Sequence, residues 1–347
     1  MNIHRFRICI LLLGAAAAVP PTALAAPAFT VQDVGTLGSG RVSDGSSVNA
    51  RESVTGDSRT SPTGLFHAFL SRNGALTDLG TLGGVQSHGH GVNDGNKVVG
   101  DADIFDPFAE IHHAFLWHRG AMEDIGTLGG IESVATAINN SGTVVGFSDL
   151  SPSGSHAFEW QDRLMTDLGV LPGDTFSAAA AINDRGVIVG ASTHVNFSQV
   201  FVYRDGVMRG LPELGNLASA NGINDRAEII ATSFDCGDIA WHALLWRNGV
   251  VTDLGRLPEG TNSYAYGIND AGLVVGVGQF VRNGSEIVDH AFLWQRGRMY
   301  DLNDLIPAGS GWELTHALSI ADGGAITGTG EIGGETHAYL LLPDGGD

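Results

Sequence analysis

Cysteine is nearly missing from this chain: Cys9 and Cys236 are the only two in 347 residues. A disulfide framework is excluded, so stability must come from core burial, which a chain of this length can supply. Basic residues are scarce as well, 18 against 38 acidic, giving a net charge of −20. So negative a surface repels phosphate backbones and anionic lipid, which argues against nucleic acid or a membrane as partner. Long apolar runs are also wanting. The strongest, Ile8–Val19, is too short to span a bilayer. Arg5 and Arg7 precede it and Ala23-Leu24-Ala25 follows as a small-x-small site, so residues 1–25 are expected to be a secretory signal peptide. No cysteine stands at a lipoprotein cleavage position. Removal of the leader would take the basic count from 18 to 16 and the net charge from −20 to about −22. The mature protein is expected in the periplasm or outside the cell, without membrane insertion and as a monomer. Cys236, then its only thiol, reads as a tolerated small residue. Catalytic signatures are lacking too: there is no Gly-x-Ser-x-Gly elbow, His-Glu-x-x-His pair or phosphate loop. No catalytic residue and no cofactor are expected.

What the chain does have is a repeat. His-Ala-Phe-Leu-Trp stands intact at His113–Trp117 and His290–Trp294, with variants beginning at His67, His156, Gln199, His242 and His337. The steps are 46, 43, 43, 43, 48 and 47 residues, the length of a four-stranded propeller blade. Three further phrases recur between these copies. Asp-Leu-Gly ends one strand, as at Asp78–Gly80 and Asp253–Gly255; Ile-Asn-Asp ends another, as at Ile182–Asp184 and Ile268–Asp270; Val-Val-Gly begins a third, as at Val98–Gly100 and Val274–Gly276. Asn-Asp-x-Gly and Asn-Gly between apolar runs are hairpin turns, because Gly and Asn tolerate positive φ. Turn chemistry accounts for the Asn-Asp pairs without calcium. The repeated first-position histidines read as hydrogen-bonded structural groups.

Fifty glycines and 16% charged residues fit many short strands. The expected fold is all-β, a closed seven-bladed propeller. Its blades run approximately over 40–83, 84–129, 130–172, 173–215, 216–257, 258–304 and 305–343, the last completed by 28–37. The closure follows from the ends: Thr30–Thr36 is an orphan Asp-Leu-Gly strand, and the last repeat lacks that strand.

Together the phrases His-Ala-Phe-Leu-Trp, Asp-Leu-Gly-Thr-Leu-Gly-Gly (Asp78–Gly84) and Ile-Asn-Asp-x-Gly-x-Val-Val-Gly (Ile268–Gly276) resemble the bacterial extracellular repeat proteins of the HAF family. The resemblance covers nearly the whole mature chain. It implies secretion and a repeat fold, and offers no catalytic residues. The chain departs from the pattern at Gln199, at Ala231 in place of Gly, and at Ile320-Ala321-Asp322.

Both tight turns of each repeat lie on one face, and the variable linkers before the His-Ala-Phe strands lie on the other, where recognition is expected. The Ile-Asn-Asp strand, rich in small residues, should be innermost. One alternating set in it stays small (Gly89/Gly91, Ala135/Ala137, Ala179/Ala181), while the other varies. The varying polar members are Asp44, His88, His90, Tyr264, Tyr266 and His316, from repeats that adjoin once the ring closes; repeats three and four offer Val134, Thr136, Ala178 and Ala180. That wall is the candidate site for a small polar ligand or, through its histidines, a metal. Asp101, Asp103 and Asp106 are weaker calcium candidates in an expected linker loop, read first as solvated acids. His112, His113 and His118 cannot share one side of a strand, which disfavours zinc there. The function expected is a binding or scaffold module whose partner is a small polar ligand or a protein. The alternative is a hydrolase or lyase on a saccharide or other small polar substrate; paired carboxylates would favour it, and only Asp44 is legible at the channel.

Overall fold

Alternation of apolar and polar residues over five to ten positions, broken by Gly- and Asn-bearing turns, builds strands throughout. The computed structural model describes residues 28–105, 111–151, 154–194, 197–214, 217–235, 237–283 and 286–345. The signal-peptide expectation, Cys236 and Asp106 lie outside them. The described residues form an all-β protein with no α-helix and two 3₁₀ turns, Pro212–Leu214 and Leu302–Asp304. No helix among them is long and apolar enough to cross a membrane.

The strands form four-stranded antiparallel sets, each following one repeat in chain order except the last, whose outer strand comes from the start of the described chain. Two of these sets join into an eight-stranded sheet through a single parallel bridge, Ser155 to Phe176. In each set the Ile-Asn-Asp strand is innermost and packs on its counterparts in the neighbouring sheets. The third strand carries His-Ala-Phe, and its Phe is fully buried between sheets: Phe69, Phe115, Phe158, Phe201 and Phe292. The outer hairpins turn on two residues with positive φ, such as Asn73 (52°) and Gly74 (75°), the twist-matched geometry of a two-residue hairpin.

The Val-Val-Gly glycine makes room for that Phe. A Cβ on Gly276 would lie 1.9 Å from the Tyr264 carbonyl and 2.8 Å from the Phe292 ring. Ala231 explains itself on this basis: its cross-strand partner is Leu244, where five repeats have Phe and the last has Tyr339. Gln199 also has a reason. Gly210 replaces the usual Asp, and the Gln199 amide fills the space a side chain there would take. Both departures are paired changes that preserve packing.

Three bonding systems recur, the first within each sheet and the other two between sheets. His Nδ1 of each His-Ala-Phe strand donates to the Asp of the neighbouring Asp-Leu-Gly strand at 2.6–3.0 Å, as in His67–Asp78, His113–Asp124, His156–Asp167, His242–Asp253 and His290–Asp301. These histidines are structural, as their repetition suggests. A buried serine at the head of the next innermost strand accepts from the Ala N–H and donates to the Gly carbonyl, as Ser87 does with Ala68 and Gly80. Finally, the Ile-Asn-Asp asparagines form a belt. Asn93 Nδ2 donates to the Asn139 carbonyl, Asn139 to Asn183, Asn183 to Asn224 and Asn224 to Asn269.

The two ends of the described chain meet. Phe29–Asp33 pairs antiparallel with Tyr339–Pro343. Asp33 receives His337, and Ser43 takes the Ala338 N–H.

Candidate functional site

The innermost strands carry one irregularity that the sequence does not announce. Each has a β-bulge or register shift at its second variable residue: between Gly45 and Ser47, Gly89 and Gly91, Ala135 and Ala137, and Ala265 and Gly267. Simple alternation therefore breaks at Ser46, His90, Thr136 and Tyr266. A bulge re-aims its extra side chain. In the third and fifth repeats the re-aimed group reaches the next sheet: Thr136 Oγ1 donates to the Ala179 carbonyl and Asn221 Nδ2 to that of Ala265.

On the polar side the sequence candidates stand among carboxylates and hydroxyls of the neighbouring strands. Asp44 accepts from Thr329 Oγ1 at 3.0 Å and lies across the strand pair from Asp57. His88 Nδ1 stands 3.5 Å from Asp57 Oδ2. His90 Nε2 lies 2.6 Å from Asp101 Oδ1. His316 Nε2 is 3.7 Å from Asp289 Oδ2, and Asp289 in turn acts on Tyr264 and Tyr266. Trp241 stacks in a tilted arrangement on Tyr264, ring centroids 6.3 Å apart.

These neighbours set the protonation chemistry. Burial, then the Asp57 charge, pushes the Asp44 carboxyl above its usual range, against the pull of Thr329 and His316. The hydrogen bond to Asp57, with the charges of Asp57, Asp101 and Asp103, raises His88 despite its partial burial. Burial raises both tyrosines, and Asp289 adds to it. A carboxyl held toward its neutral form takes up and releases a proton nearer neutral pH than an ordinary one.

Two sequence expectations need correction. Asp44 is not alone, because Asp57 is its direct cross-strand partner. Asp101 and Asp103 do not sit in a loop. They belong to the strand Val98–Ile104, are 9% and 4% exposed, and face His90 and His112 rather than solvent. The strand runs further than its Val-Val-Gly signature because its partner His112–His118 continues the ladder. Sequence reasoning passed over Asp57, Asp289 and His112 as wall residues. A signal was present for one of them: Asp57 and Asp101 both directly follow the Val-Val-Gly-type glycine, where other repeats have Phe147, Ala191 and Val277.

The opposite opening of the axis is different. A cavity of about 220 Å³ is ringed there by the Asn belt and by Asp94, Asp184, Asp225, Asp270 and Asp322. These carboxylates accept backbone N–H groups, as Asp94 does from Ala50 and Asp270 from Asp225. Turn and belt bonds account for this ring. For a metal, the described residues offer one group of three ligand atoms within 4.8 Å: Asp235, Asp238 and His242. The Arg256 guanidinium already bonds both Asp238 and His242 there. A resident cation of the protein's own fills that place.

No family model and no curated relative matches the chain. Its solved likenesses are β-propellers of low identity. The propeller domain of the Trilobed protease from Pyrococcus furiosus, which has an open velcro topology, is 9% identical with a TM-score of 0.56, over 92% of this chain and 96% of that one. Oligogalacturonate lyase from Vibrio parahaemolyticus is 10% identical, TM-score 0.56, over 90% and 93%. YCF48 bound to D1 peptide is 11% identical, TM-score 0.50, over 94% and 97%. Against two longer likenesses the chain spans 63% and 51% of their length. The chain has a β-propeller fold.

Proposed function

We propose that this is an exported, closed seven-bladed propeller of the HAF repeat type that works as a binding module, with its ligand on the polar side of the channel mouth. Counting the eight-stranded sheet as two blades gives seven. The pairing of Phe29–Asp33 with the last strand, and the reuse of the His–Asp and Ser bonds between last and first repeats, support closure. One observation carries the binding reading. The departures from the repeat at the innermost strands set Asp44 and His88 about Asp57 and His316 beside Asp289, whose charge reaches Tyr264, while repeats three and four stay apolar or self-bonded. On the same face Leu65, Phe105 and Ile239 in the linkers and Phe197, Trp241 and Ile287 in the strand ends beside them are exposed, enough apolar rim for a protein or peptide to contribute.

A second reading, hydrolysis or elimination on a small polar substrate, draws on Asp44 beside Asp57, one carboxyl raised and one paired with His88. A ligand screen by thermal shift separates the readings when repeated on a His88→Ala/Tyr264→Ala double variant. A ligand that binds only the folded state raises Tm by mass action. The double variant should lose that rise at unchanged fold. A rise that survives it removes the wall as the site, and turnover of any hit that Asp57→Asn abolishes moves the protein to the enzyme reading.

A further inference from the structure

The tight-turn face carries a cavity that the central channel does not account for. It holds about 400 Å³ between the first and second repeats and is lined by Arg51, Arg72 and Arg119 with Leu70, Trp117 and His118. No carboxylate lines it, and none of the three arginine side chains has a hydrogen-bond or ion-pair partner among the described residues. Burial, then the charges of Arg119 and Lys97, lower the pKa of His118, so the local potential is positive. Three unneutralised guanidiniums around one hollow are unexpected in a chain with 38 acidic and 18 basic residues.

The fifth repeat shows what the hollow lacks. Its turn matches that of the first bond for bond: Asn49 Oδ1 accepts from the N–H groups of Arg51 and Ser53, as Asn224 Oδ1 does from those of Arg226 and Glu228. Arg72 and Arg247 also match, each closing its His-Ala-Phe strand opposite the first residue of the outer one. In the fifth repeat the buried Glu228 takes Arg226 Nη2 at 3.0 Å on one carboxylate oxygen and Arg247 Nε on the other. The first repeat keeps both arginines and puts Ser53 in the glutamate's place. Serine is too short to replace that carboxylate and carries no charge. Ser53 is fully buried, and its Oγ has no hydrogen-bond partner, an uncommon state for a buried polar atom. Other junctions neutralise their turn arginines: Asp205 takes Arg204 at 3.4 Å, and Glu123 takes Arg163 at 3.5 Å where the first repeat has Thr77.

We propose that this cavity between sheets is an anion site whose ligand is a small organic acid, one carboxylate lying between Arg51 and Arg72 as Glu228 lies between Arg226 and Arg247. Guanidinium forks match a carboxylate in geometry as well as charge. Arg119 offers a partner for a second carboxylate, and Leu70 and Trp117 give the carbon stem an apolar lining. The net negative charge of the chain does not forbid this, because exposed charges act over about a Debye length, roughly 8 Å at physiological ionic strength. The site lies at the tight turns, apart from the channel mouth, and does not depend on the binding reading proposed there.

The full chain is titrated by calorimetry with citrate, succinate, acetate and inorganic phosphate. Citrate or succinate should bind at one site per chain, with affinity falling about tenfold or more in Arg51→Gln and in Arg72→Gln. Acetate, with a single carboxylate, should bind about tenfold more weakly or worse. Arg185→Gln, the matching turn residue of the fourth repeat, should stay within about threefold of the parent, which separates the site from general attraction to arginine. Ser53→Glu supplies the missing carboxylate from within: binding should be lost while Tm of the free protein is kept or raised. Arg51 and Arg72 are exposed, so their variants carry the test even if Ser53→Glu does not fold. Binding that survives both arginine variants, or a folded Ser53→Glu, overturns the inference, as does silence from every probe. Acetate on a par with citrate, or phosphate bound more tightly than either larger acid, overturns the assignment to a polycarboxylate.

Discussion

The inner wall has two halves made on the same backbone, and they spend their side chains differently. In the third and fourth repeats the variable positions are Val134, Thr136, Ala178 and Ala180, and Thr136 closes its own hydrogen bond onto Ala179. Across the axis the same positions, with the same bulge, carry Asp44, His88, His90, Tyr264, Tyr266 and His316. Strand pairing, the buried ring with its opposing Gly, and the Asn belt run through both halves, changed in the last repeat of the polar half to Tyr339 and to Ala321. The repeat therefore fixes what lies between strands and between sheets, and leaves the axis-facing positions free. A quiet half that satisfies itself makes the polar half informative, because the scaffold does not require its charges.

The largest way to disturb that comparison is at the seam. Deleting residues 28–34 removes the strand paired with Tyr339–Pro343 and the Asp33 partner of His337. It should cost on the order of 5 kcal/mol, a large share of an ordinary stability margin, and expose a sheet edge that aggregates. Equal Tm and a monomeric profile on size-exclusion chromatography would show that the ends do not hold the ring.

Next is the glycine–phenylalanine pairing, which should be indifferent to the half it sits in. Gly276→Ala should cost about 3 kcal/mol through overpacking on Phe292. Adding Phe292→Leu, which copies the Ala231–Leu244 pair, should recover about 1–2 kcal/mol relative to additivity. Strict additivity in urea melts would refute the pairing.

The belt sharpens the comparison further. Asn93, which borders the polar half, and Asn183, in the quiet half, each donate to the next repeat and accept two turn N–H groups. Replacing either with Ala should cost about 2 kcal/mol, equally within about 0.5 kcal/mol. A clear inequality would mean that the halves differ in scaffold as well as in side chains.

The smallest effect separates the halves in sign. Asp44 has a folded pKa above its unfolded value of 3.8, so its ionised form is costly in the fold. Its relative stabilisation is present below 3.8 and is lost as pH rises through the raised folded value. Asp44→Asn should therefore raise stability slightly at pH 7, by less than about 1 kcal/mol, with the gain vanishing near pH 3. Val134→Asn, at the corresponding quiet position, should lower it. A loss of stability in Asp44→Asn at pH 7 would mean the carboxylate is a structural group after all.

Much of the fold was legible because a repeat states each rule several times over. His-Ala-Phe, Asp-Leu-Gly and Val-Val-Gly name three strands, the Asn-Gly and Asn-Asp pairs name the turns, and Thr30–Thr36 names the missing outer strand. Their partners were less legible. That His67 meets Asp78 depends on strand register, and that Ser87 joins Ala68 to Gly80 depends on how one sheet leans on the next. Of the wall, the innermost strands gave Asp44, His88 and Tyr264 from periodicity, since their neighbours in line are small. Asp57 and Asp289 come from second and third strands, whose own pattern reads as ordinary alternation.

The sequence by itself determined the periodic β architecture, because hydrophobic alternation, turn residues and small residues at crowded positions are local demands that local chemistry meets. Only the tertiary structure decided which charges face one another across the axis. That outcome depends on register, on the bulge that re-aims His90 and Tyr266, and on sheets remote in sequence coming side by side. Electrostatic neighbours are set by distance in space, and chain position does not encode that distance until the sheets have packed.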